Sequence, residues 1–262
     1  MRVLPIIRFS AAADLPQSAL KAGFRPDAKG THSSRTIMLQ DLAAVFGATR
    51  ADAQRRDYVA AITESNCLGK PTASTRRLSA QRLSELYMLD PSLPLFRVFR
   101  RLWDQDEEGR KLLAILLAIA RDPLLAATAE PVISLPEGAE YQRDASRHAL
   151  KLLCGERFND SILDKVLRNT ASSWTQSGHL QGRTFKKRCA VDATAHAAVF
   201  ALYLSYLTGF RGAQLFSSGW FRVLDCTPGH AQNLALEAKR LSLIDLRIAG
   251  DVVDLKLERL AA

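Results

Sequence analysis

The sequence predicts a mainly α fold of two helical subdomains, accompanied by short β-hairpins. Three observations carry this. The 262 residues include only 14 Gly and 10 Pro, too few chain-breakers for a fold made of many tight turns. From Ser34 onward apolar residues recur at helical spacing through most of the chain, and two-residue alternation is confined to short stretches that follow helices. With 47% hydrophobic and 24% charged residues, the composition is that of a globular protein able to bury a core.

Residues 1–33 read as an irregular leader, because Pro5, Pro16, Gly23, Pro26 and Gly30 interrupt any long period; a short helix fits near residues 15–22. Ile37, Leu39, Leu42, Ala43 and Phe46 then fall on one helical face, ended by Gly47. A second helix over about 50–65 turns Tyr58, Ala61 and Ile62 inward and Arg55 and Arg56 outward. Helix, short turn, helix is the outline of a helix-turn-helix, and also of the start of a small helical bundle. The loop that follows contains Gly69 and Pro71 and leads to a third helix expected at 76–89, capped by Ser74 or Thr75. Lys70, Thr72, Ser74, Thr75, Arg76 and Arg77 therefore bring cations and hydroxyls to a helix N-terminus, a cradle suited to phosphate.

Residues 94–128 read as strongly helical. Phe96, Phe99, Leu102 and Trp103 form one stripe, and 112–119 is apolar nearly all round, the pattern of a buried helix. Asp122-Pro123 stops it, and Pro131 and Pro136 mark the passage from an N-terminal subdomain, 34–130, to a C-terminal one, 137–262. There, helices at 137–154 and 159–176 precede a hairpin turned by Gly182 that carries Arg183, Lys186, Lys187 and Arg188. That order is how a winged helix presents a recognition helix and its wing. It sets Ser172, Ser173 and Gln176 toward a groove and offers His179 as a phosphate donor. Helices at 193–208 and 229–241 follow, and alternation around Gly250-Asp251 predicts a last hairpin.

The net charge is +9 and the pI about 9.6, but its distribution is more telling: +8 over residues 1–102, −5 over 103–142, +6 over 143–190 and zero over 191–262. Two basic regions separated by an acidic one read as two phosphate-facing surfaces, or as solvated helix faces. The neutral C-terminal part is assigned to packing or protein contact.

Enzymatic signatures are missing. The five histidines stand singly, the cysteines form no CxxC pair, and no nucleophile elbow or phosphate loop occurs. Asp104, Asp106, Glu107 and Glu108 precede an apolar helix and read as first-turn acid. No catalytic residue, metal or cofactor is expected. Without a signal-peptide core or an 18-residue apolar run, a cytoplasmic chain with reduced thiols is expected, with no membrane partner.

The phrases Ser34-Arg-Thr-Ile-Met-Leu, Asn66-Cys-Leu-Gly-Lys-Pro-Thr-Ala-Ser-Thr-Arg, Leu86-Tyr-Met-Leu-Asp and the segment 174–180 resemble, in that order, the BrxA family of BREX phage-defence systems. The resemblance runs from about residue 30 to the C-terminus. It implies a helical protein with winged-helix character, similar in part to NusB-type antitermination factors, that binds DNA within a multi-subunit defence system. It brings no catalytic residues. Duplex DNA is thus the first expected partner and other defence subunits the second. RNA comes third, because Phe96, Phe99, Trp103, Phe200, Tyr203 and Tyr206 sit mostly at core spacing instead of forming a stacking surface.

Overall fold

The computed structural model describes residues 7–26, 29–249, 252–257 and 260. Among them the first part of the chain forms α1 (Gln17–Ala22), α2 (Leu39–Gly47), α3 (Arg55–Thr63), α4 (Ala73–Tyr87), α5 (Pro94–Gln105), α6 (Arg110–Arg121), α7 (Pro123–Ala127) and α8 (Ala129–Ile133). Next come α9 (Arg143–Cys154), α10 (Asp160–Gln176) and the antiparallel strands β1 (Leu180–Gln181) and β2 (Lys187–Arg188). The chain continues through α11 (Ala195–Leu207), α12 (Gly219–Val223) and α13 (Pro228–Arg240) to a hairpin of β3 (Asp245–Ala249) and β4 (Val252–Lys256). The fold is mainly helical, with two small hairpins. The expected Gly250-Asp251 turn lies outside the described residues, but the register that pairs Ala249 with Val252 brackets it.

Helix α6 lies at the centre. Every residue from Leu112 to Arg121 is buried, as its unbroken apolar surface requires. Helix α11 is almost as fully covered and packs against both α5 and α6. The Phe99 and Phe200 rings meet at 5.7 Å, and Phe46 of α2 sits edge-on to Trp103 of α5 at 5.4 Å. The aromatic stripe of α5 is therefore core. Residues on both sides of the 130–137 connection share this one core, so the two halves are packed on each other. A smaller cluster of Leu124, Leu150, Leu163, Val166 and Leu167 joins α9 and α10 to α7.

The strongly helical stretch over 94–128 is interrupted at Asp122-Pro123, as expected, and also at Asp106, each time by an aspartate that captures backbone N–H groups. Asp106 accepts from the Gly109 N–H at 3.0 Å and the Thr194 hydroxyl at 2.5 Å. Asp122 caps α7 through the N–H groups of Leu124 and Leu125. Residues 7–26 and 29–33 of the expected irregular leader contain little regular structure, but they are docked. Ala19, Ala22 and Phe24 are buried, and Phe9 lies against Trp220, whose indole N–H donates to the Phe9 carbonyl at 3.1 Å. Gly219 permits this approach, since a Cβ there would stand 2.5 Å from the Arg8 carbonyl oxygen.

One buried set of polar groups joins three distant segments. The His32 ring Nδ1 lies 2.8 Å from Asp122, and its Nε2 lies 2.8 Å from the Ser173 hydroxyl. The Asp122 carboxylate also accepts from the His32 backbone N–H at 2.9 Å. Burial opposes the carboxylate's ionisation, yet the His32 ring and these N–H donors outweigh it and hold the pKa below the ordinary aspartate value. Its contribution to stability is therefore complete above the unfolded pKa, about 3.9, and is lost as pH falls through the lower folded value. Asp122→Ala is expected to cost about 3–5 kcal/mol in chemical denaturation, because it strands the partners of a buried carboxylate. Asp122→Asn is expected to remove part of the acid-induced fall in Tm that the unaltered protein shows below about pH 4.

Candidate nucleic-acid interface

The first basic region is built around the start of α4. Thr72, not Ser74 or Thr75, is the cap: its hydroxyl accepts from the Thr75 N–H at 3.2 Å, and Thr75 completes the box by bonding back. The helix thus begins before the predicted start, and Arg76 and Arg77 stand in its second turn, past the free N–H groups. Lys70 pairs with Asp41 at 2.9 Å. Arg76 is half-buried, and its Nε lacks a hydrogen-bond partner among the described residues. Arg77 is exposed and shares with Arg25 and Arg55 an open groove of about 450 Å³. Arg55 reaches Asp90 at 3.6 Å, and Arg56 lies the same distance from its neighbour Asp57. Ser74 is exposed.

The second region is built on α10. Leu163, Val166, Leu167, Thr170 and Trp174 are buried, and the indole N–H of Trp174 donates to the Thr128 hydroxyl at 2.9 Å. On the opposite face Lys165 and Arg168 are exposed and Ser172 and Gln176 half-buried, at spacings of three, four and four residues that keep them on one stripe. Neither Lys165 nor Arg168 has an ion-pair partner among the described residues. Ser173 is a correction: one residue on from Ser172, it is rotated about 100° inward and is fully buried, accepting from the Ile37 N–H at 2.9 Å and donating to the Asn169 carbonyl.

Two further corrections follow from the hairpin. Strand alternation sends Lys187 outward and Arg188 inward. Arg188 is only 4% exposed and is ion-paired with Asp225, so it anchors the hairpin and faces no ligand. His179 is fully buried, with Nδ1 2.8 Å from the Ser177 hydroxyl and Nε2 2.6 Å from the Val223 carbonyl; it offers nothing to an external phosphate. Arg183 and Lys187 remain exposed. Lys186 donates to the Thr175 hydroxyl of α10 at 2.8 Å and to the Gly182 carbonyl at 3.0 Å. Residues 138–141 run along the outer edge of β2: the Gly138 N–H donates to the Arg188 carbonyl, the Arg188 N–H to the Ala139 carbonyl, and the Tyr141 N–H to the Lys186 carbonyl.

The two regions meet. A groove of about 760 Å³ is lined by Arg35, Lys70 and Thr75 on one side and by Asn169 and Gln176 of α10 on the other. Gln176 accepts from the Leu39 N–H at 3.1 Å, and Asn169 donates to the His32 carbonyl at 2.8 Å, so segment 31–39 bridges them.

The Ser173–His32–Asp122 chain has the connectivity of a nucleophile, a base and an orienting carboxylate. Its three side chains are sealed from solvent, and the serine oxygen is already engaged by Ile37 and Asn169. It therefore fastens the chain and cannot attack a substrate carbonyl. Among the described residues, no group of three or more His, Cys, Asp or Glu is placed to share a metal ion, and no helix is long and apolar enough to cross a membrane. Compared with known proteins, the chain matches no family model and no curated sequence.

Sequence reasoning missed Lys165, Arg168 and the exposed Phe185. The two cations could have been found by carrying the 3.6-residue period back from Ser172 and Gln176. Burial, reinforced by the positive Arg188 and Lys111, pushes the His179 pKa down to about 3. The unfolded chain, with a histidine near 6.5, therefore binds a proton that the folded protein refuses, and stability falls as pH drops from about 6.5 toward 3. In His179→Gln the fall in Tm between pH 7 and pH 4 is expected to be shallower than in the unaltered protein, whatever the offset at pH 7.

Proposed function

We propose that this chain is a non-catalytic duplex-DNA-binding protein of the cytoplasm, acting as an accessory subunit of a BREX-type phage-defence system. The observation that carries the DNA reading is the outward stripe Lys165, Arg168, Ser172 and Gln176 on α10, which leads toward Lys186 and the exposed Arg183 and Lys187 of the hairpin. Lys165 and Arg168, which have no ion-pair partner among the described residues, stand beside amide and hydroxyl groups and so combine sequence-independent grip on phosphate with donors for base edges.

The order of elements supports a winged helix-turn-helix. Edge segment 138–141, α9, α10 and the β1–β2 hairpin follow one another, and the edge segment pairs with the second hairpin strand. In this reading α10 enters the major groove and the hairpin lies along the backbone as a wing. Lys70 lies across the groove that ends at Gln176, and Arg77 faces the separate groove it shares with Arg25 and Arg55; in this reading both, with Arg76 between them, add phosphate contacts beside the start of α4. The defence setting rests on the resemblance of the ordered phrases described above. A protein partner is supported by Leu152 and Leu153 of α9, which are 75% and 49% exposed, as befits a surface that another subunit covers.

Titrating duplex DNA, single-stranded DNA and structured RNA of equal length at two salt concentrations tests the reading. Duplex DNA is expected to bind best, with affinity that falls steeply as salt rises; preference for RNA, or affinity indifferent to salt, would refute it. Replacing Lys165 and Arg168 together by Ala is expected to reduce the slope of log affinity against log salt by about 1.8, roughly 0.9 for each lost phosphate contact. Arg188→Ala is expected to lower Tm while leaving that slope unchanged, since its guanidinium is spent on Asp225.

A further inference from the structure

Phe185 is the large apolar side chain of the hairpin tip and is 72% exposed. Arg183 and Thr184 before it and Lys187 after it are exposed as well, so no neighbouring apolar surface shelters the ring.

The loop that carries it is fastened down. Gly182 has φ +111°, and a Cβ there would meet the Phe185 carbonyl oxygen at 2.2 Å, so the turn closes only around glycine. Lys186 ties the loop to α10 through the Thr175 hydroxyl and closes it through the Gly182 carbonyl. The Tyr141 N–H holds the Lys186 carbonyl at 2.7 Å. A loose loop could fold its phenyl group back onto the protein, whereas this one is held on both sides of the ring with the ring outside. A pinned aromatic flanked by cations has the parts of a wedge: the cations hold phosphates, and the ring enters between base pairs and partly unstacks them.

We propose that Phe185 inserts into the base stack of bound DNA, so that the protein selects duplexes whose stacking is locally weak, such as those with a mismatch, a nick or a flexible pyrimidine–purine step. This rests on the duplex-DNA reading above and names the class of substrate for it. Because the wedge displaces stacked bases, its gain is greatest where unstacking costs least. The ring reads no base identity, so the preference follows deformability and not sequence.

The test uses the full chain with Phe185→Ala and Phe185→Trp, titrated against fully paired duplexes and the same duplexes with one central mismatch flanked by 2-aminopurine. The unaltered protein is expected to bind the mismatched duplex about fivefold or more tightly, the lower end of what stacking on one base contributes, and to brighten 2-aminopurine on binding. Phe185→Ala is expected to lose both the preference and the brightening, with Tm and salt slope unchanged, and Phe185→Trp to keep them. Steep salt dependence without a mismatch preference in the unaltered protein, or a preference that survives in Phe185→Ala, overturns the wedge while the duplex-DNA reading stands. If the unaltered protein shows no salt-dependent duplex binding, both fall.

Discussion

Helix α6 has no side that can face water, and the arrangement of the other elements follows from that constraint. Its residues from Leu112 to Arg121 are buried all round, so neighbours must close over it from every direction: α4 and α5 from the N-terminal half, α11 from the C-terminal half. Leaving even a few of these leucines and isoleucines wet would cost about 1.5–3 kcal/mol each. A protein with such a helix at its centre cannot keep its two halves apart, which is why residues before and after 130–137 share one core.

The C-terminal end of α6 shows how polar chemistry is fitted to that core. There Arg121 is buried and donates to the carbonyls of Glu85, at 2.9 Å, and of Gly23. Burial and the nearby Arg25 lower its pKa to about 9, still high enough to keep it charged at neutral pH. It thereby joins α4 and the segment after α1 to the central helix. The next residue, Asp122, starts α7 and receives His32, so residues Arg121 and Asp122 together lock the leader onto the body. Through Ser173 the same network reaches α10, and the outward stripe of that helix is held at a fixed rotation by contacts on its opposite face.

Much was legible beforehand because it depended on short-range periodicity. The burial of Phe96, Phe99 and Trp103, the stop at Asp122-Pro123, the course of α10 and the hairpin around Gly182 all follow from spacing and from residues with restricted backbones. The candidate surface was legible in part: that basic side chains are in excess over residues 1–102 and 143–190 is a matter of counting. Which of them face solvent was harder. A one-residue step moves a side chain by about 100° on a helix and to the opposite face of a strand, so Ser172 and Lys187 point out while Ser173 and Arg188 point in.

The sequence by itself determined the helical class, the main breaks, the two basic regions and the absence of the short motifs that enzymes use. It could do so because each of these is written within a few turns of chain. Only the tertiary structure decided that the leader is docked, that His32, Asp122 and Ser173 form one buried network, and that Lys70 and Gln176 line a common groove. Those relations join residues 90 or more positions apart, and no local pattern encodes which of many polar side chains will meet. They are fixed by packing, since a buried polar group must find whatever partner the core brings to it.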